Sequence, residues 1–186
     1  MAIPKEEEYY TYADFLEWDD NVRGELYDGE IFMMAPPLRA HQAIVTQLIF
    51  QLESYLKGKK CKVYPAPIAV RLFPKEDNSD DNVFLPDIIV VCDTEKLDDK
   101  GCNGPPDLII EIISPSTAKY DRIYKFRKYQ NAGVKEYWIA DPETKSVQVC
   151  VLDNNRYVLS IYDETEKIPV HVLKKCVIDL QEIFAF

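Results

Sequence analysis

Histidine is scarce in this sequence, and paired cysteines are absent. Its two histidines are His41 and His171, and its five cysteines form no C-x-x-C pair. The cysteines are Cys61, Cys92, Cys102, Cys150 and Cys176. Zinc sites are typically built from clustered cysteine and histidine ligands, and an odd number of scattered cysteines does not indicate a disulfide framework. We therefore expect neither a zinc site nor disulfides, and predict free thiols that are buried or half-buried.

Long apolar segments are also missing. No run approaches the roughly 20 residues that a membrane-spanning helix needs, and the start, Met1–Glu8, has no apolar signal-peptide core. The chain is 47% hydrophobic and 29% charged, as is typical of soluble globular proteins. With 186 residues it can form one domain with a sizeable core. We expect a single cytoplasmic domain, residues 1–186, without membrane association.

Basic residues are too few to coat nucleic acid by bulk electrostatics. The net charge is −10, and residues 1–30 hold two bases against ten acids. Phosphate neutralisation needs lysine and arginine. Residues 119–135, however, contain six bases against Asp121 alone. They predict a local basic ridge that can still meet phosphates, with weak long-range steering.

The N-terminal half shows local signals for helices and a hairpin. Thr11 with Asp14 resembles a helix N-cap with an acid three residues on. Asp28-Gly29, between two strand-like segments, predicts a β-hairpin. Apolar residues at helical spacing predict a helix from about residue 39 to 57. His41 falls in its first turn on the inward face, where it is either a capping or core residue or a site residue.

Two apolar runs in the middle of the chain carry acids. Ile88–Val91 follows Pro86-Asp87, and residues 107–113 contain Glu111 within a β-branched run. A buried acid is costly unless something pairs with it. Neighbouring strands lie about 4.8 Å apart, so we expect Asp87 and Glu111 to share a divalent cation. Asp107 is a competing ligand, but four strand residues put it about 13 Å from Glu111.

A lysine from a helix completes this arrangement. Glu111 and Ile113 point to the same side of a strand, and Ile113 occupies the position of the lysine in an E-x-K arrangement. Lys125 lies four residues after Asp121 on a predicted helix, from which its ammonium can reach the strand end. Ordinary alternatives remain for each residue. Asp87 could merely start a strand, Glu111 could form a structural ion pair, and Asp121–Lys125 could be a surface salt bridge.

The C-terminal half predicts further strands. Gly133 has the position of a helix C-cap. Strands are predicted at residues 136–140, 146–152 and 156–161, the last two as a hairpin. Residues 170–172 could pair on as well, and the apolar segment 177–184 should dock on the body. Together these elements predict an α/β (α+β) domain: a mixed β-sheet flanked by helices, with an additional N-terminal hairpin and C-terminal strands.

Several strings resemble the Uma-type restriction endonuclease family of the PD-(D/E)XK superfamily. They comprise Glu25–Glu30, His41-Gln42, Pro86-Asp87, Pro106–Thr117, Asp121 with Lys125 and Tyr129, and Gly133–Pro142. The resemblance implies a restriction-endonuclease-like core and a Mg²⁺- or Mn²⁺-dependent phosphodiesterase site. By this resemblance Asp87 and Glu111 bind the metal, and Lys125 replaces the strand lysine that Ile113 displaces. Glu25 is an accessory acid, and His41 lies close by.

These observations lead to three functional hypotheses. The first is a Mg²⁺-dependent endonuclease acting on nucleic acid, with DNA as the expected substrate, and forming a homodimer. The second is a catalytically inactive module of the same fold that binds nucleic acid or a protein. The third is an interaction protein whose surface aromatic residues Tyr137 and Trp138 form a dimer interface.

Overall fold

Two six-stranded β-sheets organise this protein. The computed structural model describes residues 9–19 and 22–186, so the Met1–Glu8 segment behind the signal-peptide expectation lies outside it. In chain order the strands are β1 (Gly24–Tyr27), β2 (Glu30–Met33), β3 (Lys62–Pro65), β4 (Ala69–Arg71), β5 (Val83–Phe84), β6 (Ile88–Val91), β7 (Leu97–Asp98), β8 (Gly101–Asn103), β9 (Leu108–Ile112), β10 (Glu136–Asp141), β11 (Ser146–Asp153), β12 (Arg156–Asp163), β13 (Lys167–Pro169) and β14 (Val177–Asp179).

Helices flank the sheets. They are α1 (Tyr12–Phe15), α2 (Arg39–Leu56), α3 (Phe126–Ala132) and α4 (Leu180–Ile183), with a short 3₁₀ turn at Thr94–Lys96. A π-helical segment, Tyr120–Lys125, leads directly into α3. No helix among residues 9–19 and 22–186 combines the length and apolarity that crossing a bilayer requires.

The main sheet has the order β12-β11-β10-β9-β6-β3. It is mixed, because β9 and β10 run parallel while the other neighbours are antiparallel. Its central strands are fully buried, since β6 and β9 are apolar runs covered on both faces. The predicted fold class, a mixed sheet flanked by helices, is confirmed.

A second mixed sheet, not anticipated from the sequence, has the order β2-β1-β5-β4-β8-β7. It contains the predicted N-terminal hairpin, in which Glu25 pairs with Phe32 and the turn residues Asp28 and Gly29 both have positive φ angles. The single bridge between Leu26 and Val83 attaches this hairpin to the rest of the sheet. Strand β1 thereby places Glu25 near the main sheet.

Each face of the main sheet has its own apolar core. On one face α2 packs Leu48 and Leu52 against strand residues such as Leu108 and Trp138. On the other face Tyr129 of α3 lies in a cluster with residues of both sheets. Alternate residues of β9 point to opposite faces, so Glu111 emerges on the α3 side with Ile109.

Local sequence signals proved reliable. The Thr11 amide donates to Asp14 Oδ2 at 2.7 Å, which closes the expected capping box at α1. Helix α2 spans Arg39–Leu56, and α3 ends at Gly133, which adopts the left-handed conformation with φ 85°. These features depend only on residues near in sequence, which explains why they could be predicted.

The expectation of five free thiols was wrong. Cys61 and Cys92 form a disulfide, while Cys102, Cys150 and Cys176 are buried free thiols. The reason is the antiparallel register of β3 and β6, in which Lys62 pairs with Val91. Cys61, just before Lys62, therefore lies opposite Cys92, just after Val91. A pairing between residues 31 apart in sequence left no spacing signal.

Two expectations for the C-terminal half also need correction. The extra strand is Lys167–Pro169, paired with Val177–Asp179, and not residues 170–172. Tyr137 and Trp138 are completely buried, so they cannot form a surface for a dimer. Strand β10 lies between β9 and β11 and is covered on both faces. The sequence around Tyr137 and Trp138 did not indicate this central position.

The packing of α2 generates a stability prediction. Leu52 is 0% exposed, whereas Phe50, two residues earlier on the same helix, is 64% exposed. Leu52→Ala should lower the free energy of unfolding by about 2–5 kcal/mol, because it leaves a cavity in the core. Phe50→Ala should change it by less than about 0.5 kcal/mol. Urea denaturation of both variants measures the difference, and equal losses would contradict this packing.

Candidate functional site

Asp87 and Glu111 meet at the ends of two adjacent strands. Strands β6 and β9 are antiparallel, with Ile88 opposite Ile110. The Ile112 amide donates to Asp87 Oδ2 at 2.8 Å, and the Asp87 amide donates to Glu111 Oε2 at 3.3 Å. The two acids, 24 residues apart in sequence, are therefore tied together through the backbone.

Lys125 reaches the same place from the helix. Its Nζ lies 2.9 Å from Glu111 Oε1 and 2.9 Å from Glu25 Oε1. Asp121 Oδ1 is 3.6 Å from the same nitrogen. Lys125 is buried, as are Glu25, Glu111 and Asp121. The surface salt bridge considered for Asp121 and Lys125 is thus ruled out, since the pair lies inside the protein.

We call Glu25, Asp87, Glu111 and Asp121 the carboxylate cluster. Its members come from four separate segments: β1, the residue before β6, β9 and the π-helical segment. Glu25 is held by the Leu85 amide, which donates to its Oε1 at 2.8 Å. Short π-helical segments are frequent at functional sites. Here the π-helical segment carries both Asp121 and Lys125.

The charges of this cluster are unbalanced. Burial raises the pKa of Glu111 well above its ordinary value, and the neighbouring acids raise it further, while Lys125 lowers it. The pKa of Asp121 is also raised, mainly by burial. Burial acts to lower the pKa of Lys125, yet the surrounding carboxylates outweigh burial and hold it well above its ordinary value. One ammonium is shared among several acids, and the raised pKa values of Glu111 and Asp121 mean that these two acids also tend to hold protons.

A cleft gives access to one side of the cluster. His41 Nε2 lies 3.1 Å from Asp87 Oδ2, and both side chains line a cleft of about 360 Å³. The remaining lining residues are Gln42, Val45, Thr46, Ile49, Pro65 and Ala66. His41 Nδ1 is buried and has no hydrogen-bond partner in the part of the chain that the structure describes. Glu111 and Lys125 do not line this cleft.

The donor set suits a hard divalent cation. Within the described ranges, no group of three or more His, Cys, Asp or Glu residues is arranged to hold a metal. Mg²⁺ needs only one or two carboxylates, because water and phosphate oxygens complete its shell. Asp87 and Glu111 supply such oxygens, and a cation at Glu111 would take the place of the proton that its raised pKa favours. The residues present therefore fit Mg²⁺ or Mn²⁺ at Asp87 and Glu111.

Asp107, the competing ligand, lies elsewhere. Its Oδ1 accepts from Lys135 Nζ at 2.6 Å, and its Oδ2 accepts from the Cys92 amide at 2.7 Å. Strand geometry correctly separated it from Glu111, since residues four apart on one strand cannot share an ion. Asp107 therefore has a structural role at the start of β9.

Two tyrosines near the cluster had no assigned role from the sequence. Tyr129 OH donates to Glu111 Oε1 at 2.8 Å. Tyr120 OH is buried without a hydrogen-bond partner among the described residues, and its ring lies 5.3 Å from Lys125 Nζ. Tyr129 follows Lys125 by four residues and so shares its helical face. That spacing was the signal available for Tyr129, whereas Tyr120 required the tertiary structure.

The predicted basic ridge is largely neutralised. Of its six bases, Lys125 is buried, and three more form ion pairs with acids: Arg122 with Asp141, Lys128 with Asp28, and Lys135 with Asp107. The other two, Lys119 and Arg127, are exposed and form no ion pair within residues 9–19 and 22–186. Little unpaired positive charge remains on this segment to meet phosphates.

Sequence comparison places these residues in a wider context. A family model described as "Uma2: Putative restriction endonuclease" matches residues 12–181. Two relatives come from Synechocystis sp. The "Uncharacterized protein slr1290" is 27% identical over 145 residues, covering 76% of this chain and 73% of the relative. The "Uncharacterized protein sll1609" is 25% identical over 146 residues, covering 76% and 80%.

A solved structure has the same fold. It is described as a "putative nuclease belonging to DUF820" from Anabaena variabilis, and it superposes with a TM-score of 0.76 at 19% sequence identity. The similarity covers 95% of this chain and 98% of the other. At this identity the likeness concerns the fold, and function has to be argued from the site.

The buried ammonium generates a second stability prediction. Lys125→Met should lower the free energy of unfolding by about 3–5 kcal/mol at pH 7, because it leaves buried carboxylates without a cation. Lys128→Met is the matched control on the following helical turn. Its partner Asp28 is exposed, so the loss should stay below about 1 kcal/mol.

The loss from Lys125→Met should depend on pH. Burial raises the pKa of Glu111 above its ordinary value of 4.5, while Lys125 lowers it. Removing Lys125 should raise this pKa further, so the folded variant keeps its proton to a higher pH than the folded wild type. The loss of stability relative to wild type should therefore grow as the pH rises. Urea denaturation at pH 5 and pH 8 measures this. A loss that is equal at both pH values would contradict the unbalanced cluster.

Proposed function

Because the chain belongs to the Uma2 family, whose description is "Putative restriction endonuclease", we propose that it is a metal-dependent endonuclease that hydrolyses phosphodiester bonds in nucleic acid, with DNA as the substrate. One observation carries this proposal. Asp87, Glu111 and Lys125, predicted as the catalytic set, are linked by hydrogen bonds. Glu111 accepts from the Asp87 amide and from Lys125 Nζ, and the Asp87 carboxylate accepts from the Ile112 amide. Burying these charged side chains costs free energy, so their convergence on one site favours a functional role.

Asp87 and Glu111 would hold the ion, Mg²⁺ or Mn²⁺. When bound, such an ion polarises a phosphate and lowers the pKa of water. The backbone bonds from Ile112 and Asp87 orient the two carboxylates before any ligand arrives. Such orientation limits the reorganisation that binding requires. Glu111 is additionally held by Tyr129, so its position is set from two sides.

Lys125 would orient the nucleophile and stabilise developing negative charge. Its ammonium has three N–H donors. Two are used at 2.9 Å by Glu25 and Glu111, whereas Asp121 at 3.6 Å is beyond hydrogen-bond length. One donor thus remains for a ligand. Glu25 would act as the accessory acid that holds Lys125 in place.

The substrate would approach through the cleft beside Asp87. His41 lines this cleft and contacts Asp87, so it is the first titratable group that an entering phosphodiester would meet. Its side chain would position Asp87. Gln42 and Thr46 add polar groups on the same helix, which could hydrogen-bond sugar or phosphate oxygens.

The alternative is a module that keeps the fold without the chemistry. The burial of Glu111 and Lys125 favours it, because their mutual ion pair uses an oxygen that a metal ligand would need. Calorimetric titration with Mn²⁺ separates the two proposals. A nuclease site should bind Mn²⁺ and lose about tenfold or more in affinity in Glu111→Gln, whereas the inactive module should show no binding that depends on Glu111.

Cleavage of supercoiled plasmid with Mg²⁺ or Mn²⁺ tests the activity. Asp87→Asn, Glu111→Gln and Lys125→Met should each lower the nicking rate by about 100-fold or more. Asp107→Asn is the matched control, because Asp107 also follows a proline but lies outside the cluster. It should retain the wild-type rate. If all these preparations nick equally, the signal comes from contamination and the proposal fails.

A further inference from the structure

Strand β12 forms an open edge of the main sheet. It is the outermost strand next to β11 and spans eight residues, Arg156–Asp163. Three of its apolar side chains are exposed: Val158 at 57%, Leu159 at 50% and Ile161 at 71%. Long, apolar edge strands template pairing with another strand. This edge is therefore available to pair with another strand.

The other edges of the two six-stranded sheets carry features that discourage pairing. Strand β3, at the opposite edge of the main sheet, includes Lys62 and Pro65. In the second sheet β7 has only two residues, and β2 begins with Glu30. Charged residues, proline and short length are the usual protections of an edge. Strand β12 also has a charged residue at each end, Arg156 and Asp163, but its central residues 158–162 contain no charge and no proline.

Hydrogen bonds around β12 show which backbone groups face outward. The Leu152 amide donates to Lys135 on the β10 side, so the pair Leu152–Tyr157 is not hydrogen-bonded across the hairpin. Hydrogen-bonded and non-hydrogen-bonded pairs alternate. The backbone groups of Tyr157, Leu159, Ile161 and Asp163 therefore point to the open edge.

Two of these four residues already have local partners. The Tyr157 amide donates to Gln130 Oε1 at 2.9 Å, and the Asp163 amide donates to Glu166 Oε2 at 2.9 Å. The Asp163 carbonyl in turn accepts from the Glu166 amide at 3.1 Å. Both ends of the edge are closed by side chains or a turn. Only Leu159 and Ile161 keep both their N–H and C=O groups available.

We propose that β12 is a homodimer interface, in which it pairs antiparallel with β12 of a second copy about a two-fold axis at Ser160. An isologous contact must be self-complementary, and this register meets that condition. Leu159 lies opposite Ile161 of the second copy and Ile161 opposite its Leu159. Each pair exchanges two hydrogen bonds, so all four free N–H groups and their four carbonyls are satisfied.

The side chains fit the same register. On one face the two Leu159–Ile161 pairs form an apolar cluster of four exposed residues, a type of cross-strand contact that stabilises sheets. On the other face Val158 lies opposite Tyr162 of the second copy. The pairing ends beyond these residues, because the chain turns away after Asp163. Shifting the axis to Leu159 or Ile161 would direct a free N–H group at a position already closed.

This interface is independent of the proposed nuclease activity, and it joins the two main sheets into one twelve-stranded sheet. Its test therefore does not depend on cleavage. Ser160 is exposed and lies at the axis as a non-hydrogen-bonded pair, where Cα atoms are about 4.5 Å apart, within reach of a disulfide. Val158 lies on the same face but four residues from its copy, about 13 Å away.

Ser160→Cys should form a covalent dimer on mild oxidation, seen on a non-reducing gel, while Val158→Cys and wild type should stay largely uncrosslinked. The native free thiols are buried and should not contribute. If Val158→Cys crosslinks as well as Ser160→Cys, or if neither does, the proposed register is wrong.

A second experiment measures the dimer dissociation constant by analytical ultracentrifugation. Ile161→Lys should raise the dimer dissociation constant at least tenfold, because it buries two charges in the apolar cluster of the pair. Val177→Lys, a similarly exposed apolar residue on β14, should leave it unchanged. Urea denaturation checks that both variants are folded. A wild-type protein that is monomeric at all concentrations, or an Ile161→Lys variant that still dimerises normally, overturns the proposal.

Discussion

The ammonium of Lys125 is the interaction on which the candidate site depends. It is the only cation in contact with Glu25, Glu111 and Asp121 among the described residues, and all four groups are buried. Buried charges persist only when they are paired and hydrogen-bonded. The protein therefore has to bring three acids to one lysine, and this requirement constrains the position of the π-helical segment relative to both sheets.

Each element around the cluster can be understood from this requirement. The main sheet supplies Glu111 from β9 and, just before β6, Asp87; the second sheet supplies Glu25 from β1; and the helical segment supplies Asp121 and Lys125. Tyr129 adds a neutral donor to Glu111. The two sheets thus both contribute to one site, and the hairpin that looked like a peripheral addition in the sequence positions one of its carboxylates, Glu25.

The acids around Lys125 outnumber this single lysine, which would favour the binding of a further cation. A cluster with balanced charges would have little affinity for a further cation. Here burial, and after it the neighbouring carboxylates, raise the pKa of Glu111, and a hard cation would stabilise its ionised form. The protein as a whole is acidic, and few unpaired bases remain on the helical segment. The electrostatic field near the site would therefore attract a cation more strongly than a phosphate.

By itself the sequence determined the local elements and the identity of the central acids. The capping of α1, the hairpin turn, helix α2 and the end of α3 follow from contacts within a few residues, and Glu111 inside an apolar run required a partner wherever the chain folded. The tertiary structure decided which residues those partners are. It placed Glu25 with Lys125 across 100 residues, paired Cys61 with Cys92, buried Tyr137 and Trp138, and added the second sheet. These outcomes depend on strand order and register, which are set by the packing of the whole chain and leave no periodic pattern in any one segment.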